Sequence, residues 1–177
     1  MRVPSLSFHP IDLARHAALC VEFRADSYVC GDGDARRFWA TAGPAGEDYL
    51  RRLAAYMDAL PGSCVHVWRG EEIVGQVEMI RDPEDPSAGK VNLFYLRPDC
   101  RGLGLGVQLE CYALGCLQGV GLSEAWLRVS LTNRPALAFY ARQGWSDGGL
   151  DARVPGMRVL RKWIGPGNAA GGAATQE

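Results

Sequence analysis

Three stretches of β-forming residues follow one another in the middle of the chain, and the links between them are too short to cross a sheet. The stretches are CVHVW (64–68), IVGQVEMI (73–80) and VNLFYL (91–96), joined by RGEE and by RDPEDPSAGK, a connection with two prolines and a glycine. Parallel neighbours need a crossover of about a dozen residues or more, usually a helix. These three therefore pair as an antiparallel meander, and the rest of the chain must be arranged around it.

Before the meander the apolar period is helical. Residues 5–8 read as a first strand, and Asp12 as the N-cap of a helix running to about Tyr28. The turn sequence CGDGD follows, then a short helix over 36–40. Residues 47–60 place Tyr49 or Leu50, Leu53, Tyr56 or Met57, and Leu60 at helical spacing, with Pro61 and Gly62 as the stop. After the meander come a helix over 103–118 (Leu105, Leu109, Tyr112 and Cys116 in register), a strand over 125–130, a helix over 134–142 and a strand over 157–163. With the short helix over 36–40 left out, the order βααβββαβαβ describes an α/β (α+β) fold, a mixed sheet with helices on its faces. A single domain over 1–164 is expected. From Gly165 the chain is Gly- and Ala-rich, with nothing large enough to bury, and reads as a disordered tail over 165–177.

Charge and composition exclude several classes. Lys plus Arg number 19 against 20 Asp plus Glu, so the formal net charge is −1. A nucleic-acid partner is not expected, because no cationic surplus is present to displace counterions from phosphate. No stretch approaches the roughly 18 apolar residues of a membrane span, and the opening MRVPSLSFHPIDLARH lacks a secretory apolar core. A cytoplasmic location without membrane association is the expectation. None of the six cysteines forms a C-x-x-C pair and the three histidines have no zinc-ligand spacing, so free thiols and no metal are expected.

The most informative segment joins the third strand of the meander to the next helix: YLRPDCRGLGLGVQLE, with Gly102, Gly104 and Gly106 alternating directly after Arg101. Glycines let backbone N–H groups approach a ligand closely, and a helix start adds unsatisfied donors and a partial positive charge. Together they make a phosphate cradle. A dinucleotide fingerprint needs G-x-G-x-x-G, and Val107 breaks that spacing; a P-loop needs a closing G-K-[ST], which is absent. Both also need a parallel βαβ start, whereas this strand closes an antiparallel meander.

The pattern R-x-x-G-x-G after a strand ending in L-R-P, followed by VSLTNRPALAFYARQGW, resembles the GNAT superfamily of N-acetyltransferases. The match covers about 63–163 in element order. The resemblance implies a mostly antiparallel, twisted sheet with helices on both faces and splayed central strands. It makes 63–164 the CoA-binding core and 1–62 a variable helical part on the acceptor side. It implies acetyl-CoA as co-substrate and transfer of the acetyl group to a primary amine, small molecule or peptide, by direct attack in a ternary complex, in a monomer or homodimer. A catalytically idle CoA-binding sensor and transfer of another acyl group are the alternatives on the same scaffold.

The resemblance also assigns residues. The diphosphate of CoA would rest on the amides of Arg101, Gly102, Leu103, Gly104, Leu105 and Gly106. Pantetheine would lie against Leu96 and Arg97, the Leu96 amide donating to the thioester carbonyl, and against Asn133, Ala136 and Phe139. Asn133 before Pro135 is in any case a helix start, and Ala136 and Phe139 are explained equally well by packing. Tyr140 matches the position from which relatives protonate the departing thiolate; an amphipathic packing tyrosine is the other reading. A phenol near pKa 10 is a weaker acid than a thiol near 8.5 by about 1.5 units, roughly 2 kcal/mol, so hydrogen bonding is the larger part of such a role. Glu78 is the candidate base, or else a charge on the solvated face of its strand. Tyr28, Asn92 and Tyr95 are candidates for holding the acceptor. Asp26, Asp32, Asp34 and Asp151 are available to attract a cationic amine, although Gly/Asp clusters are also ordinary turn material.

Overall fold

The structure is a computed structural model describing residues 5–165. The elements are β1 (Ser7–Pro10), α1 (Leu13–Asp32), α2 (Arg36–Ala42), α3 (Glu47–Ala59), β2 (Cys64–Arg69), β3 (Glu72–Arg81), β4 (Ala88–Leu96), α4 (Gly106–Gly119), β5 (Glu124–Ser130), α5 (Arg134–Arg142), β6 (Ser146–Leu150) and β7 (Met157–Trp163), with a single 3₁₀ turn at Pro98–Cys100. They build one sheet in the order β1-β2-β3-β4-β5-β7-β6. Among the described residues only β4 and β5 run parallel; every other neighbouring pair is antiparallel.

The meander is β2-β3-β4, and its register is irregular both between β2 and β3 at Val67/Trp68 and between β3 and β4 at Glu78/Met79, the second of which borders β5. Glu78 faces Leu93 and Met79 faces Val91, so β4 advances two residues where β3 advances one, and Asn92 is the extra residue of a bulge. Such a bulge bends its strand and increases the twist. The consequence lies on the other edge of β4. Pairing with β5 runs from Ala88↔Glu124 to Val91↔Leu127 and stops there, one residue before the bulge. Beyond it the central strands diverge, which is the splay that the resemblance implies.

Each face of the sheet has its own core. Val65, Val67, Val77, Met79 and Val91 pack with Leu109, Ala113 and Leu117 of α4. The opposite face is covered by the front helices, through Cys20, Phe38, Tyr49 and Leu53 with Cys64, and through Phe23 with Leu93 and Tyr95. Burying side chains of this size stabilises the fold by roughly 1.5–3 kcal/mol each.

Several expectations need adjustment. The first strand is Ser7–Pro10, two residues later than the sequence suggests. The Asp12 side chain caps α1 as expected, accepting from the Ala14 and Arg15 amides, but the helix continues through Cys30 and Gly31 to Asp32 and ends on Gly33 at φ 87°. The short helix expected over 36–40 runs from Arg36 to Ala42. The helix expected from 103 starts at Gly106, because Gly102 (φ 73°) and Gly104 (φ 76°) are left-handed and hold the chain in a turn. β6 falls where the sequence suggests only a loop: its residues, SDGGL, are exposed throughout and carry no alternating pattern. Residues 166–177 of the expected tail lie outside the described residues.

Candidate active site

Where β4 and β5 part, a cavity of about 280 Å³ opens between them. Its walls are the bulged half of β4, the C-terminal half of β5, the last turns of α1 and the inner face of α5. Of the residues singled out from the sequence, Tyr28, Asp32, Asn92, Asn133, Ala136 and Tyr140 meet here. Glu78, Tyr95, Leu96, Arg97, Phe139 and the glycine turn are not part of the wall.

Tyr140 belongs to a ring cluster, with centroids 5.5 Å from Trp145 and 5.3 Å from Phe139. Among the described residues no group hydrogen-bonds its hydroxyl. Burial, with the Glu110 carboxylate as a second cause, pushes its ionisation well above the ordinary phenol value, so the hydroxyl keeps its proton. Glu110 is held in turn by Trp145 Nε1 (2.6 Å) and Lys162 Nζ (2.8 Å). Asn133 caps α5, its Oδ1 accepting from the Ala136 amide at 3.2 Å, and also lines the cavity.

Leu96 is oriented by its neighbour. The Arg97 amide donates to Val74 O at 2.8 Å, toward β3. Backbone groups alternate along a strand, so Leu96 turns its N–H and carbonyl to the opposite edge, the one β5 has left. Its carbonyl there accepts from Arg101 Nε at 2.7 Å. The Arg97 guanidinium pairs with Asp99 at 3.0 Å. Of the two backbones expected to meet pantetheine, Leu96 faces the splay and the Arg97 amide is already committed.

The glycine turn is exposed, and Leu103 projects from it with 48% of its surface accessible. A Cβ placed on Gly102 or Gly104 would meet no heavy atom within 4 Å, so the space over the turn is open. No side chain caps α4 at Leu105, which leaves its first amides to an outside acceptor. Gly106 serves differently: an added Cβ would sit 3.1 Å from the Phe139 ring, so its absence lets α5 approach the start of α4. Open space and uncapped donors fit a diphosphate. The Arg101 side chain does not extend over this space. It pairs with Asp26 at 2.8 Å and lies over the Tyr95 ring, 5.4 Å from its centroid.

Glu78 is 1% exposed, so it is no solvated strand-face charge. Its Oε1 accepts from Tyr49 Oη (2.7 Å) and Gln76 Nε2 (2.8 Å), while Oε2 has no protein hydrogen bond among the described residues. Tyr95 is 5% exposed, and its hydroxyl donates to Asp26 at 2.8 Å. The four aspartates named from the sequence are all ion-paired: Asp26 with Arg101, Asp32 with Arg37, Asp34 with Arg36 and Asp151 with Arg128. Burial alone would raise the Asp26 carboxyl, but Tyr95 and Arg101 hold it below the usual range.

The sequence reading missed Arg24, Arg37, Lys90 and Arg128. All four line the cavity, with Asp32 the one carboxylate among its lining residues. They are scattered from position 24 to position 128, and only the sheet order brings them together.

The acetyltransferase (GNAT) family model matches residues 33–145, well over half of the chain and including the glycine turn, the splayed strands and Tyr140. The chain belongs to the acetyltransferase (GNAT) family. Among relatives, it is 40% identical over 78 residues to a mycothiol acetyltransferase of Streptomyces bingchenggensis, a stretch that is 44% of this chain and 25% of that protein. It is 29% identical over 106 residues to the mycothiol acetyltransferase of Geodermatophilus obscurus, 58% of this chain and 34% of that one. The chain thus spans about a third or less of the length of these relatives. In fold it resembles the PaiA N-acetyltransferase of Thermoplasma acidophilum solved with coenzyme A, with a TM-score of 0.71 at 16% identity over 90% of this chain and 99% of that one. An acetyltransferase of Thermus thermophilus superposes with a TM-score of 0.63 at 22% identity, covering 94% and 99%.

Proposed function

We propose that this GNAT-family chain transfers an acetyl group from acetyl-CoA to a primary amine, a small molecule or peptide, by direct attack in a ternary complex. The observation that carries the reading is the splay at Asn92, with the free Tyr140 hydroxyl on its wall and the uncapped start of α4 beyond the end of β4. That the matched relatives are named for acetyl transfer supports it.

Acetyl-CoA, when bound, supplies the activated thioester. The residues do the rest. The turn from Gly102 to Gly106 offers its amides to the diphosphate, the Arg101 amide being bonded to the Pro98 carbonyl at 3.2 Å, and Asn133, Ala136 and Phe139 form the α5 side of the pantetheine path. The Leu96 N–H, fixed by the Arg97–Val74 bond, is the proposed donor to the carbonyl oxygen that gains charge on attack; a preorganised donor of this kind contributes about 2.7–4 kcal/mol where it has been measured. Tyr140 donates a hydrogen bond to the departing sulfur and, as a weak acid, retains most of its proton.

An alkylamine near pKa 10 is almost wholly protonated at neutral pH and must lose a proton before attack. Glu78 is the proposed acceptor, reached through water, since its Oε2 is without a protein partner and it is not part of the cavity wall.

The test is thiol release from acetyl-CoA with a panel of amines, run beside calorimetric binding of acetyl-CoA. Release with at least one amine supports the reading. Binding without release from any amine replaces it with a sensor, and release only from longer acyl-CoA substrates replaces the acetyl donor.

A further inference from the structure

The cavity wall has a charge imbalance that the transfer chemistry does not use. Arg24, Arg37, Lys90 and Arg128 face it, and Asp32 is the one carboxylate of its lining; Lys90 and Arg128 also border a second cavity, which they share with Trp126, Asp82, Glu84 and Asp151. Three of these cations already have partners. Arg37 pairs with Asp32 at 2.9 Å and Arg128 with Asp151, whose side chain is 5% exposed. Arg24 donates to the Asn92 carbonyl at 2.6 Å, lies over the Tyr28 ring and is favoured in its charged form by Glu78 behind it.

Lys90 is the exception. Among the described residues no carboxylate lies within ion-pairing distance of its ammonium, and its recorded contact is with the Trp126 ring, 5.1 Å to the centroid. The carboxylates nearest in charge effect are Asp151 and Asp82, and both are committed elsewhere. Asp151 accepts from Arg128 and from the Arg153 and Val154 amides. Asp82 accepts from Trp126 Nε1 at 2.5 Å and from the Glu84 amide. Burial, then Arg128 and Arg24, push the Lys90 ammonium down to about 8. A half-buried cation with cationic neighbours and no counterion is a costly arrangement, and an anion arriving in the cavity relieves it.

We infer that the acceptor is a small amine that also carries an anionic group, a carboxylate or a phosphate, which pairs with Lys90 between Arg24 and Arg128 while the amine points along β4 toward Tyr140. The inference rests on the acetyl-transfer reading and narrows its substrate class. It reverses the sequence expectation of aspartates that attract a cation, since each of those aspartates is neutralised by an arginine.

The test reads binding of reaction products and is independent of turnover. N-acetylated amino acids with small, acidic and apolar side chains are titrated against the CoA-loaded chain by calorimetry, each beside its uncharged carboxamide, with N-acetylethanolamine phosphate as a separate arm. At least one anionic form should bind about tenfold or more tighter than its uncharged counterpart, a difference of about 1.4 kcal/mol. A carboxylate or phosphate preference identifies the group. Lys90→Gln should abolish the difference and Lys90→Arg should keep most of it, which separates a charge requirement from a folding defect. Equal binding of charged and uncharged forms, an advantage that survives Lys90→Gln, or no binding of any product overturns the inference. Absence of thiol release from the wild-type chain, by contrast, overturns the acetyl-transfer reading.

Discussion

Arg101 and Asp26, 75 positions apart in sequence, meet at 2.8 Å and tie the glycine turn to the middle of α1. The same carboxylate oxygen takes the Tyr95 hydroxyl, and Arg101 also reaches the Leu96 carbonyl, so turn, strand and front helix share one junction. Asp26→Asn removes the charge at its centre. The pair is about a third exposed on both sides, so the stability loss should be only about 1 kcal/mol by urea denaturation. The larger effect expected is on the turn: the KM for acetyl-CoA should rise several-fold with kcat nearly unchanged. An unchanged KM would show that the turn holds its shape without the tie.

Tyr140→Phe removes one oxygen and leaves the ring packing on Trp145 and Phe139. We expect kcat to fall well over tenfold while calorimetric affinity for acetyl-CoA stays within about twofold. Because burial and Glu110 keep the phenol protonated, the wild-type pH profile should show no loss of rate attributable to tyrosine ionisation below about pH 10. Wild-type turnover in the variant would leave Tyr140 a packing residue.

For Glu78→Gln, the informative readout is the shape of the pH profile. If Glu78 takes the amine proton, kcat/KM should fall about a hundredfold at neutral pH and recover as the pH approaches the pKa of the free amine, where no acceptor is needed. A loss of equal size at every pH would mark Glu78 as support for Tyr49, Gln76 and Arg24 instead.

His66 gives a stability prediction. It is 1% exposed, contacts Cys20 Sγ at 3.5 Å and has the His16 ring 5.4 Å away, with Phe23 and Gln76 also facing it. Burial, with His16 as a second cause, lowers its imidazole to about 4 from 6.5. Between those values the unfolded chain binds a proton that the folded chain refuses, so stability should decline as pH falls from 6.5 toward 4, by at most about 3 kcal/mol. His66→Gln should flatten that part of the acid limb; an unaltered limb would assign it to other groups.

Two glycines should respond differently to alanine. Gly102→Ala meets no atom but forces a side chain into the left-handed region, at about 1 kcal/mol by denaturation, and should weaken acetyl-CoA binding. Gly75→Ala would set a Cβ 2.2 Å from the Tyr95 carbonyl oxygen, a collision with backbone that can be relieved only by moving β3 from β4. Its cost should be several kcal/mol.

The parts of this molecule legible in its sequence are those fixed by local rules. Asp12 and Asn133 cap their helices as their residue types and followers suggest, and the short links at 69–72 and 81–90 force the meander. β6 escaped because its glycines and exposed positions leave no apolar alternation, and its existence depends on β7 beside it. The Asn92 bulge is a matter of register between strands, which no residue type announces. The same holds for the cavity's charge: aspartates near glycines stand out in the sequence, but the arginines that neutralise them lie up to 75 positions away.

The gap between β4 and β5 lies inside the sheet and not at its rim. An outer edge can recruit any passing strand, whereas this seam is bordered by α1 on one side and α5 on the other. On the acetyl-transfer reading, a guest entering here would have to be thin enough to lie between two helices, and it would complete the pairing that the parted strands leave open.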